Sequence, residues 1–282
     1  MAEARETTVV IPAFNEADGI ANTIQGLASQ GFAEILVVDD GSTDSTAARA
    51  EAAGARVVLH PYNKGNGAAV KTGIRAAASS VILLLDADTQ HDPAEALRLI
   101  APIGTYDMVI GSRSLADQSF IRAFGNAIFR GLASWLTGRP IPDLTSGYRA
   151  AKREALQEVL HLLPNGFSYP TTSCLALMKS GRSVKFVPIS ARARVGTSKV
   201  RPLQDGFRFI LIIFKIVTLY APLRVFAPIA AMSFLSGVAY GLWNVRQFEK
   251  IPMGAALLIQ LGVVVFLFGL ISEQIASTQE KR

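Results

Sequence analysis

The feature that most limits how this chain can fold is a pair of uncharged stretches near its C-terminus. Residues 225–243 are 19 consecutive uncharged residues, and residues 253–272 are 20 more. A bilayer core of about 30 Å is crossed by about 20 helical residues, so each stretch is long enough to span a membrane. Because only residues 244–252 separate them, we expect a helical hairpin whose two ends lie on the same side of the membrane.

Charge is distributed unevenly along the 282 residues. Residues 1–100 contain 7 Lys and Arg against 13 Asp and Glu, whereas residues 101–282 contain 21 against 9. This asymmetry predicts an N-terminal part that handles a cation and a C-terminal part that faces anions, for which anionic lipid headgroups are suitable. Nucleic acid is not expected as a partner, because no zinc-finger spacing or recognition-helix pattern is present.

Three features predict the compartment. The single cysteine, Cys174, excludes an intramolecular disulfide and fits a reducing environment. The N-terminus runs directly into a strand pattern without an apolar signal region, so we expect the N-terminal domain to stay cytoplasmic. The basic flank of the first apolar stretch favours the same side for both termini, by the positive-inside tendency; it contains Arg201, Arg208, Lys215 and Arg224.

The first hundred residues alternate between β-branched runs and helical spacing. Such alternation predicts a mostly parallel sheet with right-handed crossovers, a Rossmann-like α/β fold. The predicted strands are residues 7–12, 34–40, 56–60 and 81–86. Further along, the pattern is less regular and predicts helices near 150–162 and 171–180 and a strand at 183–189.

The segment 207–221 is apolar but carries Arg208 and Lys215, seven residues apart and therefore on one helical face. This pattern favours a helix that lies in the membrane surface. The alternative, that it begins a longer tilted span, remains open, although Pro222 argues against it.

Acidic residues cluster where the predicted strands end. Asn15-Glu16, Asp39-Asp40 and Asp86-Ala87-Asp88-Thr89-Gln90 follow strands one, two and four. Ligands of parallel α/β sheets bind at the carboxyl ends of the strands. In an extended segment Asp86, Asp88 and Gln90 point to one side, which predicts an oxygen site for Mg²⁺ or Mn²⁺ bridging a diphosphate. For Asp40 alone, a structural capping role is an equal alternative.

Five motifs in order resemble a known family: VVIPAFNE, LVVDDGSTDST, NKGNGAAVKTGIRAA, LLLDADTQHDP and DLTSGYRA. Together they resemble the family-2 glycosyltransferases with a GT-A fold, and more narrowly the polyprenyl-phosphate glycosyltransferases. The resemblance implies inverting, metal-dependent sugar transfer from GDP-mannose or a UDP-hexose to dolichyl or undecaprenyl phosphate. It also implies a GT-A domain at 1–202, an interfacial helix at 203–222, and a hairpin with a short tail at 223–282.

The resemblance assigns roles to matching positions. The nucleotide-sugar site would contain Pro12, Phe14, Glu16, Asp39, Asp40, Lys64, Gly67 and Asp86, and the metal would be held by Asp86, Asp88 and Gln90. Asp88 and Asp143 are the expected catalytic residues, Asp143 as an orienting group.

The acceptor phosphate would be bound by Arg113, Arg122, Asn126, Arg149, Arg194, Ser198 and Lys199. For Arg194 and Lys199, a generic basic run beside the membrane is the alternative.

Two other functions are weighed against this one. A processive polysaccharide synthase would need more spans and a QxxRW-type motif, and a non-catalytic membrane scaffold would not need the Asp86, Asp88 and Gln90 set. Small residues in both spans also predict self-association through close helix packing; they are Gly237, Gly241, Gly254, Gly262 and Gly269.

Overall fold

The computed structural model describes residues 3–87, 91–113, 130–131, 133–135, 137–166, 168–190, 214, 218 and 222–279. The chain divides into two compact units, residues 1–209 and residues 210–282.

The first unit is built on one sheet of seven strands. These are β1 (Thr7–Ala13), β2 (Glu34–Asp39), β3 (Arg56–Leu59), β4 (Val81–Leu84), β5 (Met108–Arg113), β6 (Arg149–Lys152) and β7 (Val184–Ile189). Their order across the sheet is β3-β2-β1-β4-β6-β5-β7, and only β6 runs antiparallel to its neighbours β4 and β5. The mostly parallel α/β sheet predicted from the sequence is confirmed.

Helices alternate with the first four strands. They are α1 (Ile20–Ser29), α2 (Thr46–Ala52), α3 (Asn66–Ala76) and α4 (Ala96–Ile100), followed later by α5 (Arg153–Glu158) and α6 (Tyr169–Lys179). Every residue of β1 and β4 is buried, as expected for central strands covered on both faces. The core beneath α1 contains Val9, Ile11, Ile24, Leu27 and Leu83.

The prediction of a helix over 150–162 is wrong at its start. Residues Arg149–Lys152 form β6, and α5 begins only at Arg153. The strand has no β-branched residue, but it is hydrogen-bonded on both sides, to β4 and to β5. Pairing in the sheet therefore overrides the helix preference of Ala150 and Ala151. The sequence pattern did not predict β5.

The second unit contains two long helices, α7 (Leu223–Phe248) and α8 (Met253–Gln279). Both are long and apolar enough to cross a membrane, and most of their large apolar side chains are exposed. The Ser233 hydroxyl donates to Leu258 O (2.9 Å), and Leu223 N donates to the Glu273 carboxylate (3.1 Å), so the helices are bonded near both the middle and the base of the hairpin. The predicted hairpin is thereby present.

Glycines of the hairpin are used within the hairpin itself. A Cβ at Gly237 would lie 2.8 Å from Ile259 N, and one at Gly262 would lie 2.8 Å from Ala230 O. A Cβ at Gly269 would meet Phe226 Cβ at 2.8 Å. These three residues allow the two helices of one chain to approach closely, so their presence does not indicate a second copy.

The predicted interfacial segment 207–221 lies outside the described residues, apart from Phe214 and Thr218, which are helical.

Candidate active site

The predicted donor residues lie along one edge of the sheet. Strands β1, β2 and β4 run parallel, so their carboxyl ends meet at the same edge. The strand order reverses between β1 and β4, because β2 and β3 lie on one side of β1 and β4 lies on the other. A crevice at such a reversal is where open α/β sheets bind ligands.

The segment after β1 is fixed to the turn after β2. Asn15 N donates to Ser42 Oγ (2.9 Å), and Asn15 Oδ1 accepts from Thr43 N (2.9 Å). Glu16 N donates to Thr46 Oγ1 (2.9 Å). Pro12 is buried within β1, whereas Phe14 and Glu16 are half-buried beyond its end. Phe14 and Glu16 are therefore held at the sheet edge with part of each residue accessible.

Asp39 and Asp40 are adjacent but differ in what they contact. Asp39 Oδ1 accepts from the backbone N–H (3.1 Å) and the hydroxyl of Ser42. Asp40 is 2% exposed, and it accepts from His60 Nδ1 (2.6 Å), Lys64 N (2.9 Å) and Gly65 N (2.7 Å). Both oxygens of Asp40 therefore bind the loop that precedes α3, and Oδ1 also binds the His60 ring.

Lys64 and Gly67 flank the start of α3. The Lys64 side chain is exposed, with its Nζ 5.6 Å from the centre of the Tyr62 ring. Gly67 is buried, and its N–H donates to Gly166 O (3.2 Å). The sequence did not predict that the segment 163–166 covers the first turn of α3. Its Pro-Asn-Gly run signals a turn, but nothing local tells which helix that turn contacts.

Asp86 is the described carboxylate of the predicted metal set. Its side chain is 30% exposed and lies 4.0 Å from His91 Nε2. A Cβ at position 147 would lie 2.0 Å from Asp86 Oδ2, so the carboxylate occupies space that only glycine leaves. Gly147 is a site residue that the sequence did not predict; its only signal was a glycine inside the predicted SGYR motif.

Tyr148, just before β6, contacts the segment that follows β4. Its ring packs on His91 with 4.9 Å between ring centres. Burial raises the pKa of Tyr148, so its hydroxyl keeps the proton and donates to Asp92 O (3.2 Å). The segment that follows β4 and the segment that precedes β6 are thus packed together around Asp86.

A divalent cation fits the chemistry of this edge in part. Asp86 supplies a partly exposed oxygen ligand of the kind that Mg²⁺ and Mn²⁺ prefer. The other two predicted ligands, Asp88 and Gln90, lie outside the described residues. Among the residues that are described, no three His, Cys, Asp or Glu side chains form a metal-binding group.

Arg113 and Asp143 form a two-point ion pair. Arg113 Nε lies 2.9 Å from Oδ2 and its Nη2 lies 3.2 Å from Oδ1 of Asp143, while Thr145 N also donates to Oδ1 (2.9 Å). Burial by itself would raise the pKa of Asp143, but the hydrogen bonds and charge of Arg113 outweigh it and lower that pKa. Asp143 is therefore an ionised, immobilised carboxylate and a poor general base at neutral pH.

Arg149, which was predicted to bind the acceptor phosphate, contacts other parts of the protein. The residue is fully buried. Its guanidinium donates to Pro170 O (2.8 Å), Ser173 Oγ (2.8 Å) and Ser146 O. These are contacts of a structural support, and in this arrangement they do not expose the guanidinium to an acceptor phosphate.

The remaining predicted acceptor residues lie outside the described part of the chain. They are Arg122, Asn126, Arg194, Ser198 and Lys199.

Comparison with solved structures agrees with the fold. Glucosyl-3-phosphoglycerate synthase from Mycobacterium tuberculosis, in a complex with Mn²⁺, UDP and glucosyl-3-phosphoglycerate, superposes with a TM-score of 0.62 at 23% identity, over 76% of this chain and 81% of that one. A second structure of the same synthase, in complex with Mg²⁺ and UDP, has a TM-score of 0.60 at 24% identity, over 76% of this chain and 81% of that one. At these identities the likeness shows the shared fold.

Sequence relatives cover more of the chain. Glycosyltransferase AglJ of Haloferax volcanii is 30% identical over 97% of this chain and 95% of its own length. A dolichyl-phosphate hexose transferase of the same organism is 31% identical, over 71% of this chain and 89% of its own length. An undecaprenyl-phosphate 4-deoxy-4-formamido-L-arabinose transferase of Klebsiella pneumoniae is 30% identical, over 84% of this chain and 75% of its own length.

Two family matches divide the chain as its sequence pattern does. Residues 221–278 match the GtrB C-terminal hairpin. Residues 8–160, which contain the edge of the sheet described above and strands β1 to β6 apart from Thr7, match glycosyl transferase family 2. The chain belongs to glycosyl transferase family 2 and is a glycosyltransferase.

Proposed function

We propose that this enzyme transfers a hexose, with inversion, from a nucleotide sugar (GDP-mannose or a UDP-hexose) to a polyprenyl phosphate at the cytoplasmic membrane face. The observation that carries the proposal is the contact between Asp86 and Gly147. It brings the donor edge of the sheet against the segment that holds the Arg113–Asp143 pair. The names of the dolichyl-phosphate and undecaprenyl-phosphate relatives support the acceptor class.

The donor half uses the edge formed by β1, β2 and β4. Phe14, Glu16 and Asp39 would line the nucleotide pocket beside Pro12, with Lys64 and Gly67 beyond, and Asp40 would act through the chain it binds. Asp86, with Asp88 and Gln90, would hold Mg²⁺ or Mn²⁺, which when bound neutralises charge on a departing nucleoside diphosphate.

The acceptor half needs to position charge and does not need to remove a proton. A phosphate monoester is already anionic, so its oxygen can attack the anomeric carbon while the bond from that carbon to the diphosphate oxygen breaks. Asp143, with its lowered pKa, fits an orienting role: it binds Nε and Nη2 of Arg113 and so holds in place a guanidinium whose charge would attract the acceptor phosphate. The other phosphate contacts would come from Arg122, Asn126, Arg194, Ser198 and Lys199, with Arg149 as a buried support.

The second unit would anchor the reaction to the bilayer. The hairpin of α7 and α8 would form two membrane spans. Both termini and the catalytic unit would be cytoplasmic, and an interfacial helix would connect the catalytic unit to α7. Exposed Arg224, at the start of α7, fits the positively charged side. The domain limits at 202 and 222 and any self-association through the hairpin are parts of this proposal.

Product analysis tests the reaction. Full-length protein in vesicles containing polyprenyl phosphate is supplied with Mn²⁺ and, in turn, with several radiolabelled nucleotide sugars. We expect the label of one nucleotide sugar to enter the lipid fraction. This transfer should require the phosphate group of the acceptor, so that the label stays in the aqueous fraction when unphosphorylated polyprenol is supplied. Transfer to polyprenol, or formation of a polymer, would contradict the proposal, and no transfer with any donor would favour a scaffold.

The metal set is tested by a matched pair of variants. Asp88→Ala is expected to leave below about 1% of the transfer rate, because a charge-stabilising group at the leaving diphosphate would be lost. Asp18→Ala, which removes a fully exposed carboxylate, is the control and is expected to retain activity. Mn²⁺-dependent nucleotide binding, measured by calorimetry, is expected to disappear in the first variant only.

A further inference from the structure

A buried polar network lies behind the exposed loop that carries Lys64. His60 directly follows β3 and is 8% exposed, and Asp40 directly follows β2. His60 Nδ1 lies 2.6 Å from Asp40 Oδ1, and His60 Nε2 lies 2.9 Å from Thr72 Oγ1 on α3. The imidazole therefore connects the second strand of the sheet to the helix that follows the loop.

The same carboxylate holds the backbone of the loop. Both Lys64 N and Gly65 N donate to Asp40, at 2.9 and 2.7 Å. On the other side, Gly41 adopts a φ of +75°, and a Cβ there would lie 2.6 Å from the backbone of Tyr62. The loop 61–65 is thus packed directly on the turn after β2 and bonded to it from within.

Asp40 has little room for a ligand of its own. It is 2% exposed and already accepts three hydrogen bonds from the protein. Lys64 and Tyr62, in contrast, are exposed on the same loop, with the ammonium over the ring. The buried pair thus contacts the backbone of the loop that carries these two exposed groups.

We propose that Asp40 and His60 are positioning residues that fix loop 61–65 so that Lys64 and Tyr62 meet the nucleotide-sugar donor. The inference rests on the proposed function and deepens its donor site. A lysine on a fixed loop binds a diphosphate more tightly than one on a mobile loop, because less conformational entropy is lost on binding. Loss of the network is therefore expected to raise the KM for the donor with little change in kcat.

Three variants and one control separate the roles in full-length protein. His60→Ala removes both contacts of the ring, His60→Asn retains a donor for Asp40, and Thr72→Val removes only the hydroxyl at the far end. His161→Ala, which changes an exposed histidine outside the network, is the control. Thr72→Val is the mildest change and keeps the test valid if His60→Ala folds poorly.

Two measurements are made on each variant. We expect His60→Ala to raise the donor KM about tenfold with kcat within about threefold, His60→Asn to restore KM to within about threefold of wild type, and Thr72→Val to shift KM in the same direction by less. Amide hydrogen exchange of residues 61–65 is expected to quicken about tenfold in His60→Ala and to be unchanged in His161→Ala.

The two measurements distinguish two kinds of failure. If wild type transfers sugar but His60→Ala leaves the donor KM or the exchange of residues 61–65 unchanged, the positioning role is overturned and the proposed function stands. If His60→Asn is no better than His60→Ala and Thr72→Val leaves the donor KM unchanged, the hydrogen bonds of the ring do not position the loop and the positioning role is overturned. If wild type transfers no sugar, the proposed function fails, and unchanged exchange would still overturn the positioning role by itself.

Discussion

The two sides of the sheet hold their acidic residues by different means. On the β3-β2-β1-β4 side, Asp39 and Asp40 accept hydrogen bonds from backbone N–H groups, a serine and a histidine. On the β6-β5-β7 side, Asp143 pairs with Arg113, and Asp107 pairs with Lys152 (3.0 Å). Glu34 on β2 also faces Arg56 (3.5 Å), so the contrast concerns these four acids: Asp39 and Asp40 shape turns and loops, whereas Asp143 and Asp107 have a charged partner in addition to neutral donors.

Arg149 gives the largest expected effect on the charged side. Arg149→Met leaves Pro170 O, Ser173 Oγ and Ser146 O without their buried donor. Pro170 O and Ser173 Oγ still bond to each other (3.2 Å), so Ser146 O loses most. Because a hydrogen bond to a charged group contributes about 1.5 to 3 kcal/mol, we expect the free energy of unfolding to fall by about 3 kcal/mol. Thermal unfolding of the full chain in detergent measures the change.

Arg139→Met, which changes an exposed arginine, is the matched control and is expected to alter stability by less than about 0.5 kcal/mol. Equal stability of the two variants would show that the buried guanidinium is not a support. The prediction from the sequence that Arg149 binds the acceptor phosphate would then be favoured again.

Gly147 lies where the segment before β6 meets the segment after β4. Its substitution is expected to give the next largest effect. Gly147→Ala puts a methyl group into the position of the Asp86 carboxylate, which must move because its partly exposed end is the freer group. A displacement of this size at a reacting centre costs about 100-fold in rate, and we expect sugar transfer to fall by that factor while thermal stability changes little.

Gly131→Ala is its control, since a Cβ at position 131 would have no atom of the described residues within 4 Å. Retained transfer in Gly147→Ala would contradict the assignment of Asp86 to the site. A large loss of stability would instead make the contact a packing requirement.

Much of this arrangement was predictable from local sequence. Strands β1, β2 and β4 are runs of β-branched and aliphatic residues, and parallel strands bring their ends together wherever they lie in the sheet. That is why the edge with Phe14, Asp39 and Asp86 followed from the pattern. The apolar hairpin was equally visible, because length and absence of charge are enough to indicate it.

What local sequence did not predict depends on partners distant in the chain. The strand Arg149–Lys152 shows no strand pattern, and its pairing with β4 decides its conformation. The burial of Arg149 could not be predicted, since arginine is usually exposed. The contact of Gly147 with Asp86 joins residues 61 positions apart, and no periodicity encodes such a contact.

The pH dependence of stability tests whether the charge of Asp107 stabilises the folded protein. Burial alone would raise its pKa, but hydrogen bonds from Ser183 and Lys152 and the charge of Lys152 lower it from 3.8 to about 2. Since the pKa is lower in the folded protein, the stabilisation is complete above about pH 4 and is lost as the pH falls towards 2. We expect Asp107→Asn to cost about 2 kcal/mol of unfolding free energy at pH 7, with the difference from wild type shrinking over that window.

Unfolding by denaturant at pH 7, 4 and 3 measures this difference, with Asp18→Asn, an exposed pair member, as the control. A difference that stays constant with pH would mean that folding does not stabilise the ionised form of Asp107. The two sides of the sheet would then not differ as proposed.

Asp92 gives the smallest effect and the sharpest contrast with Asp107. Its carboxylate accepts from Ala94 N (3.1 Å) at the start of the helical turn Pro93–Glu95, where an uncharged acceptor serves equally well. We expect Asp92→Ala to lower the free energy of unfolding by about 1 kcal/mol and Asp92→Asn to leave it within a few tenths. Thermal unfolding at pH 7 measures both variants.

The pair of Asn variants decides between the two means of holding an acid. Both substitutions keep one side-chain oxygen and remove a charge, but Asp107→Asn also replaces one of two oxygens that accept hydrogen bonds. The part of its loss that shrinks as the pH falls is therefore the part that measures the ionised form. A loss at Asp107 with none at Asp92 fits the division of the sheet, because Lys152 is a charged partner and Ala94 N is not. Equal losses at the two positions would show that the β4 side also relies on charge, and the turns after its strands would then owe their shape to electrostatics as well as to hydrogen bonds.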